Sequence, residues 1–258
     1  MRLTERDLEI IRYVRAFGCM TSGQVAILFG MNIKVCQRLL RRLCRADYLR
    51  NLPMPTVKAG RCPNLFYLGS QGAFLLDAEV SKPRLTLKLS HQRRNTDLMI
   101  SIIREFSDSG LECEVLPESV FRSINPSAEL IHDGVFALRR NGKSALFMLE
   151  NCSGTESVKS PNFHEDIEAK LKRYVELFEK ANISLYENFF ELNFNRFRLL
   201  FITNNEQRKS LIGRLAMEHD KHGFIWITTL RDFQRHGVNA PIWAVPALDQ
   251  YNRSILER

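Results

Sequence analysis

Apolar residues recur at helical spacing in three short runs at the start of the chain. Thr4 precedes the first run as a helix N-cap, with Asp7 in the position of a capping-box acid, and Gly18 ends the run. Thr21 opens a second, shorter helix, and Asn32 opens a third. The pattern therefore predicts three helices joined by tight turns. The side chains predicted to face the core are Leu8, Ile11, Val14 and Phe17 in the first helix and Val35, Leu39, Leu40 and Leu43 in the third.

The third predicted helix carries long hydrogen-bond donors on the side away from its apolar residues, and no acidic residue lies between Asn32 and Asp47. Arginine and lysine reach phosphates or the guanine edge, and glutamine pairs with adenine, so these side chains suit the major groove of DNA. A basic face that is merely solvated is the alternative interpretation. The residues predicted to contact DNA from this helix are Lys34, Gln37, Arg38, Arg41 and Arg42.

Two predicted strands follow, at 48–50 and 65–68, and the loop between them contains Lys58 and Arg61. Helix, helix, basic helix and two-stranded wing together resemble the winged helix-turn-helix family over about residues 3–76. The resemblance implies binding of double-stranded DNA, with Lys58 and Arg61 on phosphates or in the adjacent minor groove.

The charge of the chain changes sharply after this region. Residues 1–90 contain 15 Lys and Arg against 6 Asp and Glu, whereas residues 91–258 contain 22 against 23. A basic first third favours an anionic partner, of which nucleic acid is the most common. Because the apolar pattern is also interrupted at 77–90, we predict two domains, at 1–80 and 91–258.

The second part alternates helical and strand patterns in the order α-β-β-β-α-β-α-β. Two of its strands, 134–138 and 144–149, flank Asn141-Gly142, the strongest short-range signal for a β-hairpin. A hairpin that leads into helix–strand crossovers predicts a mixed sheet with helices on both faces. The other predicted elements are helices at 94–109, 165–181 and 206–218 and strands at 111–116, 197–203 and 224–228.

Two carboxylates stand at the ends of the hairpin strands. Asp133 begins one strand and Glu150 ends the other, so the hairpin brings both to one edge, where they can hold a divalent metal ion. This pattern resembles the PD-(D/E)XK restriction-endonuclease-like superfamily, but Cys152 occupies the position of its lysine. Some members of that superfamily carry the lysine on the following helix, and Lys170 and Lys172 are the candidates here.

The whole arrangement also resembles the replication-relaxation family of plasmids and mobile elements. The resemblance rests on a winged helix followed by a short series of polar positions and spans nearly the whole chain. Those positions are His91 and Asn95, Asp133-Gly134, the segment 150–157, and Lys170 and Tyr174 on a helix.

We therefore expect an N-terminal winged helix and a C-terminal restriction-endonuclease-like mixed sheet, an α+β or α/β chain. The first functional hypothesis is a duplex-DNA-binding regulator of transcription, replication or transfer on a mobile element, acting as a homodimer without a cofactor. The alternative is a Mg²⁺-dependent DNA endonuclease, in which Asp133 and Glu150 hold the metal and Lys170 or Lys172 supplies the missing cation.

Several other classes of function have no support in the sequence. It contains no Gly-rich phosphate loop, no G-x-S-x-G elbow, no H-E-x-x-H and no C-x-x-C pair. Nucleotide hydrolysis by a P-loop, esterase chemistry and zinc-protease chemistry are therefore not expected. No apolar run of membrane-spanning length occurs, and six cysteines without a pairing pattern favour free thiols. We expect a cytoplasmic protein that binds neither membranes nor nucleotide cofactors.

Overall fold

A computed structural model describes residues 2–53, 64–80, 82–83, 87–152 and 166–256. The chain forms two compact units, one of Met1–Ile100 with Ser119–Ile124 and one of Ser101–Glu118 with Asn125–Arg258. The division falls inside a long helix, Leu87–Asp108. The functional domains predicted at 1–80 and 91–258 have different boundaries from these units and stay a prediction.

The first unit is a winged helix, as the sequence predicts. Its three strands form an antiparallel sheet in the order β1-β3-β2. The elements are α1 (Glu5–Ala16), β1 (Met20–Thr21), α2 (Ser22–Leu28), α3 (Ile33–Arg45), β2 (Leu49–Pro53), β3 (Asn64–Leu68) and α4 (Ser70–Leu75). The short strand β1 and the helix α4 are additional to the sequence prediction.

The helix starts agree with the capping signals. Thr4 caps α1 and forms a full capping box with Asp7, and Thr21 does the same for α2 with Gln24. Asn32 caps α3 through a bond from the Lys34 backbone N–H to its side-chain oxygen. Each box satisfies backbone N–H groups at a helix start that have no partner within the helix, which is why these boundaries are visible in the sequence.

The buried side of α3 differs from the prediction at Val35, and Leu39 is only half-buried. Cys36, Leu40 and Leu43 are fully buried, whereas Val35 is 43% exposed. The buried residues lie at i, i+4 and i+7, a single helical stripe, and Val35 stands outside it. The prediction that Val35 faces the core is wrong because the small cysteine, and not the neighbouring valine, lies in the stripe that packs inward.

The two wing strands pair from Leu49 opposite Leu68 to Pro53 opposite Asn64. Lys58 and Arg61, predicted to contact DNA from the wing, lie outside the described residues, and their role stays a prediction.

The long helix, α5 (Leu87–Asp108), begins before the predicted start at residue 94. Its first turns are held within the first unit. Leu89 is buried, and the Gln92 side chain donates to the backbone oxygen of Phe17 over 2.8 Å. These contacts with residues far away in the chain extend the helix, so the local pattern alone underestimates its length.

The second unit contains a seven-stranded mixed sheet in the order β10-β9-β8-β7-β6-β5-β4. Strands β4, β5 and β6 are antiparallel, β6, β7 and β8 are parallel, and β9 and β10 return antiparallel. The elements after α5 are β4 (Glu112–Pro117), α6 (Glu118–Ile124), β5 (Gly134–Arg140), β6 (Lys143–Cys152), α7 (Ile167–Lys180), α8 (Ser184–Phe190), β7 (Phe197–Thr203), α9 (Glu206–His219), β8 (Ile225–Thr229), α10 (Leu230–His236), β9 (Trp243–Val245), a 3-10 turn (Pro246–Leu248) and β10 (Gln250–Arg253).

The predicted hairpin is present as β5 and β6. Asn141 and Gly142 form its turn with φ of 51° and 72°, the left-handed conformation that a type I′ turn requires. Pairing runs from Arg140 opposite Lys143 to Gly134 opposite Leu149. The short elements α6, α8, α10, β9 and β10 escaped the sequence prediction.

Helices cover both faces of this sheet, as predicted. On one face the ring of Phe136 in β5 stacks on Phe147 in β6 at 4.7 Å and on Phe106 of α5 at 6.3 Å. On the other face Tyr174 and Phe178 of α7 contact Phe197 of β7. The architecture is thus a mixed sheet flanked by helices. Within the described ranges, no helix has both the length and the apolar character needed to span a bilayer.

Candidate functional site

The hairpin brings Asp133 and Glu150 together. The Asp133 N–H donates to the Leu149 carbonyl over 3.1 Å, and Asp133 Oδ2 accepts the Asn151 N–H over 2.7 Å. Asp133 is therefore fixed to the residues on either side of Glu150, through its backbone N–H on one side and its carboxylate on the other. This is the juxtaposition that the two strand ends predicted.

Glu150 is almost completely buried, with 2% of its side chain exposed, and both of its oxygens have donors from α7. Lys170 Nζ donates to Oε2 over 2.5 Å, and the Tyr174 hydroxyl donates to Oε1. Lys170 and Tyr174 lie one helical turn apart, so they point to the same side of α7. Two side chains from one face of α7 thus donate to the two oxygens of the Glu150 carboxylate.

Burial dominates the electrostatics of this carboxyl group. Removal from water raises the pKa of Glu150 to about 8, since the charged form is disfavoured in the interior. The Lys170 ammonium lowers this pKa, and the nearby Asp133 carboxylate raises it further. Burial thus favours the neutral form of Glu150, whereas Lys170 favours the charged form.

Lys172, the second predicted lysine, lies elsewhere. It pairs with Glu168 over 2.9 Å on the exposed side of α7, and 55% of its side chain is exposed. Residues two apart in a helix point in nearly opposite directions, so Lys170 and Lys172 cannot both reach Glu150. Of the two candidates, the structure brings Lys170 to the carboxylates.

Sequence analysis missed a chain of polar groups behind Glu150. His132 is buried, with its Nδ1 2.6 Å from the Tyr174 hydroxyl and its Nε2 2.5 Å from the Tyr186 hydroxyl. Burial, reinforced by the Lys170 charge, lowers the pKa of His132 to about 3, so its ring is neutral. The three residues come from separate segments, and no sequence spacing indicates their contact.

The basic face of α3 is the second candidate site. Lys34, Arg38 and Arg41 are exposed on the side opposite the buried stripe, and Gln37 lies half-buried at its margin. Arg45 extends the same exposed face. The predicted groove residues of α3 other than Arg42 are thus on or beside one surface.

Arg42 differs from its neighbours because it is tied to α1. Its guanidinium contacts Asp7 Oδ1 at 2.5 Å, and the Asp7 side chain is fully buried while that of Arg42 is 47% exposed. Although burial opposes ionisation, hydrogen bonds from Thr4 and Arg42 lower the pKa of Asp7 below its usual value. Arg42 therefore compensates a buried charge within the protein.

The replication-relaxation family model matches residues 11–192, more than two thirds of the sequence. The chain belongs to the replication-relaxation family. No curated protein matches it.

Solved structures similar to this replication-relaxation protein include MarR from E. coli complexed with operator DNA and the restriction endonuclease FokI bound to DNA. MarR is 21% identical over 29% of this chain and 51% of its own, with a TM-score of 0.26. FokI is 11% identical over 92% of this chain and 45% of its own, with a TM-score of 0.32. The protein thus spans about half the length of the first and less than half of the second.

The donor chemistry of the hairpin site fits a single Mg²⁺ ion. Asp133 and Glu150 offer carboxylate oxygens, the ligands that Mg²⁺ prefers, and one or two such groups commonly suffice because water and phosphate complete its shell. Within the described ranges, no group of three or more His, Cys, Asp or Glu side chains lies close enough to bind a metal. Cys152, at the usual lysine position, is buried. Residues 153–157, part of the family resemblance, lie outside the described residues.

Proposed function

We propose that this replication-relaxation protein binds duplex DNA through α3 and the wing of its first unit, as a cytoplasmic regulator of transcription, replication or transfer on a mobile element. The observation that carries the proposal is the exposed row of cations on α3. In this proposal the nuclease-like unit serves as scaffold or as additional DNA-binding surface.

The geometry of that row suits a DNA groove. Lys34, Arg38, Arg41 and Arg45 are spaced at i, i+4, i+7 and i+11, so they form one stripe opposite the buried stripe of the helix. The stripe is roughly 16 Å long at 1.5 Å per residue. A helix of this size enters the major groove, where such side chains reach phosphates and guanine edges.

Homodimerisation is part of the proposal. Two recognition helices about 34 Å apart read successive half-sites of a palindrome. Analytical ultracentrifugation with and without duplex measures the oligomeric state, and a monomer on a palindromic site would contradict it.

The test of DNA binding is the salt dependence of affinity for a 30-bp duplex, measured by fluorescence anisotropy between 50 and 200 mM salt. We compare the wild type with the double variant Arg38→Ala/Arg41→Ala. If both residues contact phosphates, the slope of log K against log salt falls in magnitude by about 1.8. The control, Arg140→Ala/Lys143→Ala, removes two exposed cations from the β5–β6 hairpin of the second unit. No effect of the first double variant would contradict the assignment to α3, and an effect of the second would indicate that the second unit also contacts DNA.

A second candidate function is Mg²⁺-dependent cleavage of a DNA phosphodiester, favoured by the 2.5 Å contact between Lys170 and Glu150. Asp133 and Glu150 would hold the metal, which polarises the phosphate and activates water when bound. Lys170 would donate to the negative charge that develops on the phosphate, the role of the lysine absent at position 152.

Cleavage is tested on supercoiled and linear duplex with Mg²⁺ or Mn²⁺. We compare the wild type with Asp133→Asn, Glu150→Gln and Lys170→Met, and use Lys172→Met as the matched control because it removes a lysine from the same helix. Cleavage lost in the first three variants and kept in the control supports an enzyme. Duplex that is bound but never cut leaves the regulator as the function.

A further inference from the structure

We propose that Tyr186, His132 and Tyr174 form a directed hydrogen-bond chain that ends on Glu150 and positions its carboxylate. His132 and Tyr186 are then positioning residues that act on Glu150 through Tyr174. The proposal deepens the second candidate function and rests on it for its purpose, but the hydrogen-bond chain is tested independently of DNA cleavage.

The direction of the hydrogen bonds follows from counting the protons that each group can donate. Glu150 Oε2 accepts from the Lys170 ammonium, and the Tyr174 hydroxyl donates its single proton to Glu150 Oε1. The Tyr174 oxygen must then accept from His132, which places the ring proton on Nδ1. A neutral imidazole has one donor and one acceptor, so Nε2 accepts the hydroxyl proton of Tyr186. Every contact is satisfied in this one direction.

The hydrogen-bond chain joins four segments that are separate in the sequence. His132 precedes β5, Glu150 lies in β6, Tyr174 in α7 and Tyr186 in α8. All four side chains are buried, so each hydrogen bond forms away from water, where an unsatisfied group is costly.

The consequence for Glu150 is a fixed orientation. Because the Tyr174 hydroxyl occupies Oε1, the other oxygen, Oε2, is the one that faces Lys170. His132 restrains the Tyr174 hydroxyl, and Tyr186 restrains the His132 ring. The hydrogen bonds thus select one rotamer of the carboxylate beside Asp133 and Lys170.

The test is the tautomer of His132, read from nitrogen-15 NMR of the histidine-labelled full-length protein at pH 9. The His132 signals are assigned by their loss in His132→Gln. We expect the Nδ1–H tautomer, whereas free neutral histidine prefers Nε2–H. An Nε2–H tautomer or an imidazolium in the wild type would overturn the proposal.

Glu150→Gln provides a sharper test because it should reverse the direction of the hydrogen bonds. Lys170 only donates and therefore faces the amide oxygen, which turns the amide NH₂ group toward Tyr174. The Tyr174 hydroxyl must then donate to His132 Nδ1, and the ring proton moves to Nε2. We expect the tautomer to switch in this variant and not in Glu168→Gln, a control on α7 whose carboxylate contacts Lys172 and His219. An unchanged Nδ1–H tautomer in Glu150→Gln refutes the directed chain.

Tyr186→Phe provides a second variant with a minimal change in volume. It removes the donor to Nε2 but leaves the His132 bond to Tyr174, so Nδ1–H persists while the Nε2 signal shifts toward that of an unbonded ring nitrogen. An unmoved Nε2 signal would contradict the role of Tyr186. A confirmed tautomer without any DNA cleavage would preserve the positioning role and reject the nuclease, so the two failures are distinguishable.

Discussion

Replacing Lys170 with methionine should destabilise the second unit far more than the same change at Lys172, and increasingly so at high pH. Lys170 retains 22% exposure and contacts a carboxylate that is 2% exposed, whereas Lys172 is 55% exposed beside a carboxylate that is 12% exposed. Methionine preserves most of the volume and removes the charge. The pair of variants therefore isolates the effect of compensating a buried charge.

The magnitude follows from burial. Breaking a buried ion pair by removing one partner costs about 3–5 kcal/mol, because the other charge is left uncompensated. Since Lys170 is partly exposed and Glu150 can take up a proton, we expect the lower end, about 3 kcal/mol, at pH 9 and about 1 kcal/mol at pH 6. Lys172 itself is mostly exposed, and Glu168 keeps His219 within 3.3 Å as a second partner, so about 0.3–0.5 kcal/mol is expected at both pH values.

Urea unfolding monitored by tryptophan fluorescence measures these costs. Both tryptophans of the chain, Trp226 and Trp243, lie in the second unit, so their emission reports the unit that contains the site. Combining Lys170→Met with Glu150→Gln removes the buried charge and should recover most of the lost stability. Equal costs for the two lysine variants at pH 9, or no recovery in the double variant, would refute the reasoning.

Three further changes have defined outcomes. Glu150 has a folded-state pKa raised from 4.5 to about 8. Its contribution to stability is therefore present at low pH and lost as pH rises. Between pH 5 and 8 the free energy of unfolding of the wild type, measured by urea titration, should fall by up to about 4 kcal/mol relative to that of Glu150→Gln. The same pH dependence of unfolding free energy in both proteins would contradict this. Arg42→Ala leaves the buried Asp7 carboxylate with one fewer donor, so thermal unfolding followed by circular dichroism should show a loss of about 1–2 kcal/mol, against less than 0.5 kcal/mol for the exposed Arg38→Ala; equal losses would mean that the Asp7 contact is not stabilising. Phe136→Ala removes a fully buried ring stacked between two others and should cost about 3–5 kcal/mol by fluorescence-detected unfolding, and a cost below 1.5 kcal/mol would argue against close packing there.

Local chemistry explains which parts of the fold could be predicted. The starts of α1 and α2 depend on capping boxes made by residues three apart, and the β5–β6 hairpin depends on two adjacent residues at its turn. All of these interactions are complete within a few residues. They favour the same local structure whatever packs around them, so sequence reasoning found them.

The candidate site was predictable only in part. Asp133 and Glu150 stand at the ends of hairpin strands, so the pairing register alone brings them together. The choice between Lys170 and Lys172 depends on the rotation of α7 about its axis, which is determined by the residues it packs against. Helical periodicity places the two lysines on different faces but does not identify the face that meets the sheet.

Periodicity, capping and turn chemistry over short distances were sufficient to predict the winged helix, the basic face of α3, the hairpin and the two carboxylates. The folded protein was needed to show that Lys170 reaches Glu150, that Arg42 compensates Asp7, and that His132 is neutral and buried between two tyrosines. These outcomes depend on desolvation and on contacts between residues from 20 to 54 positions apart in the chain. Burial and the electrostatic energy of a group are set by neighbours that come together only when the chain has folded.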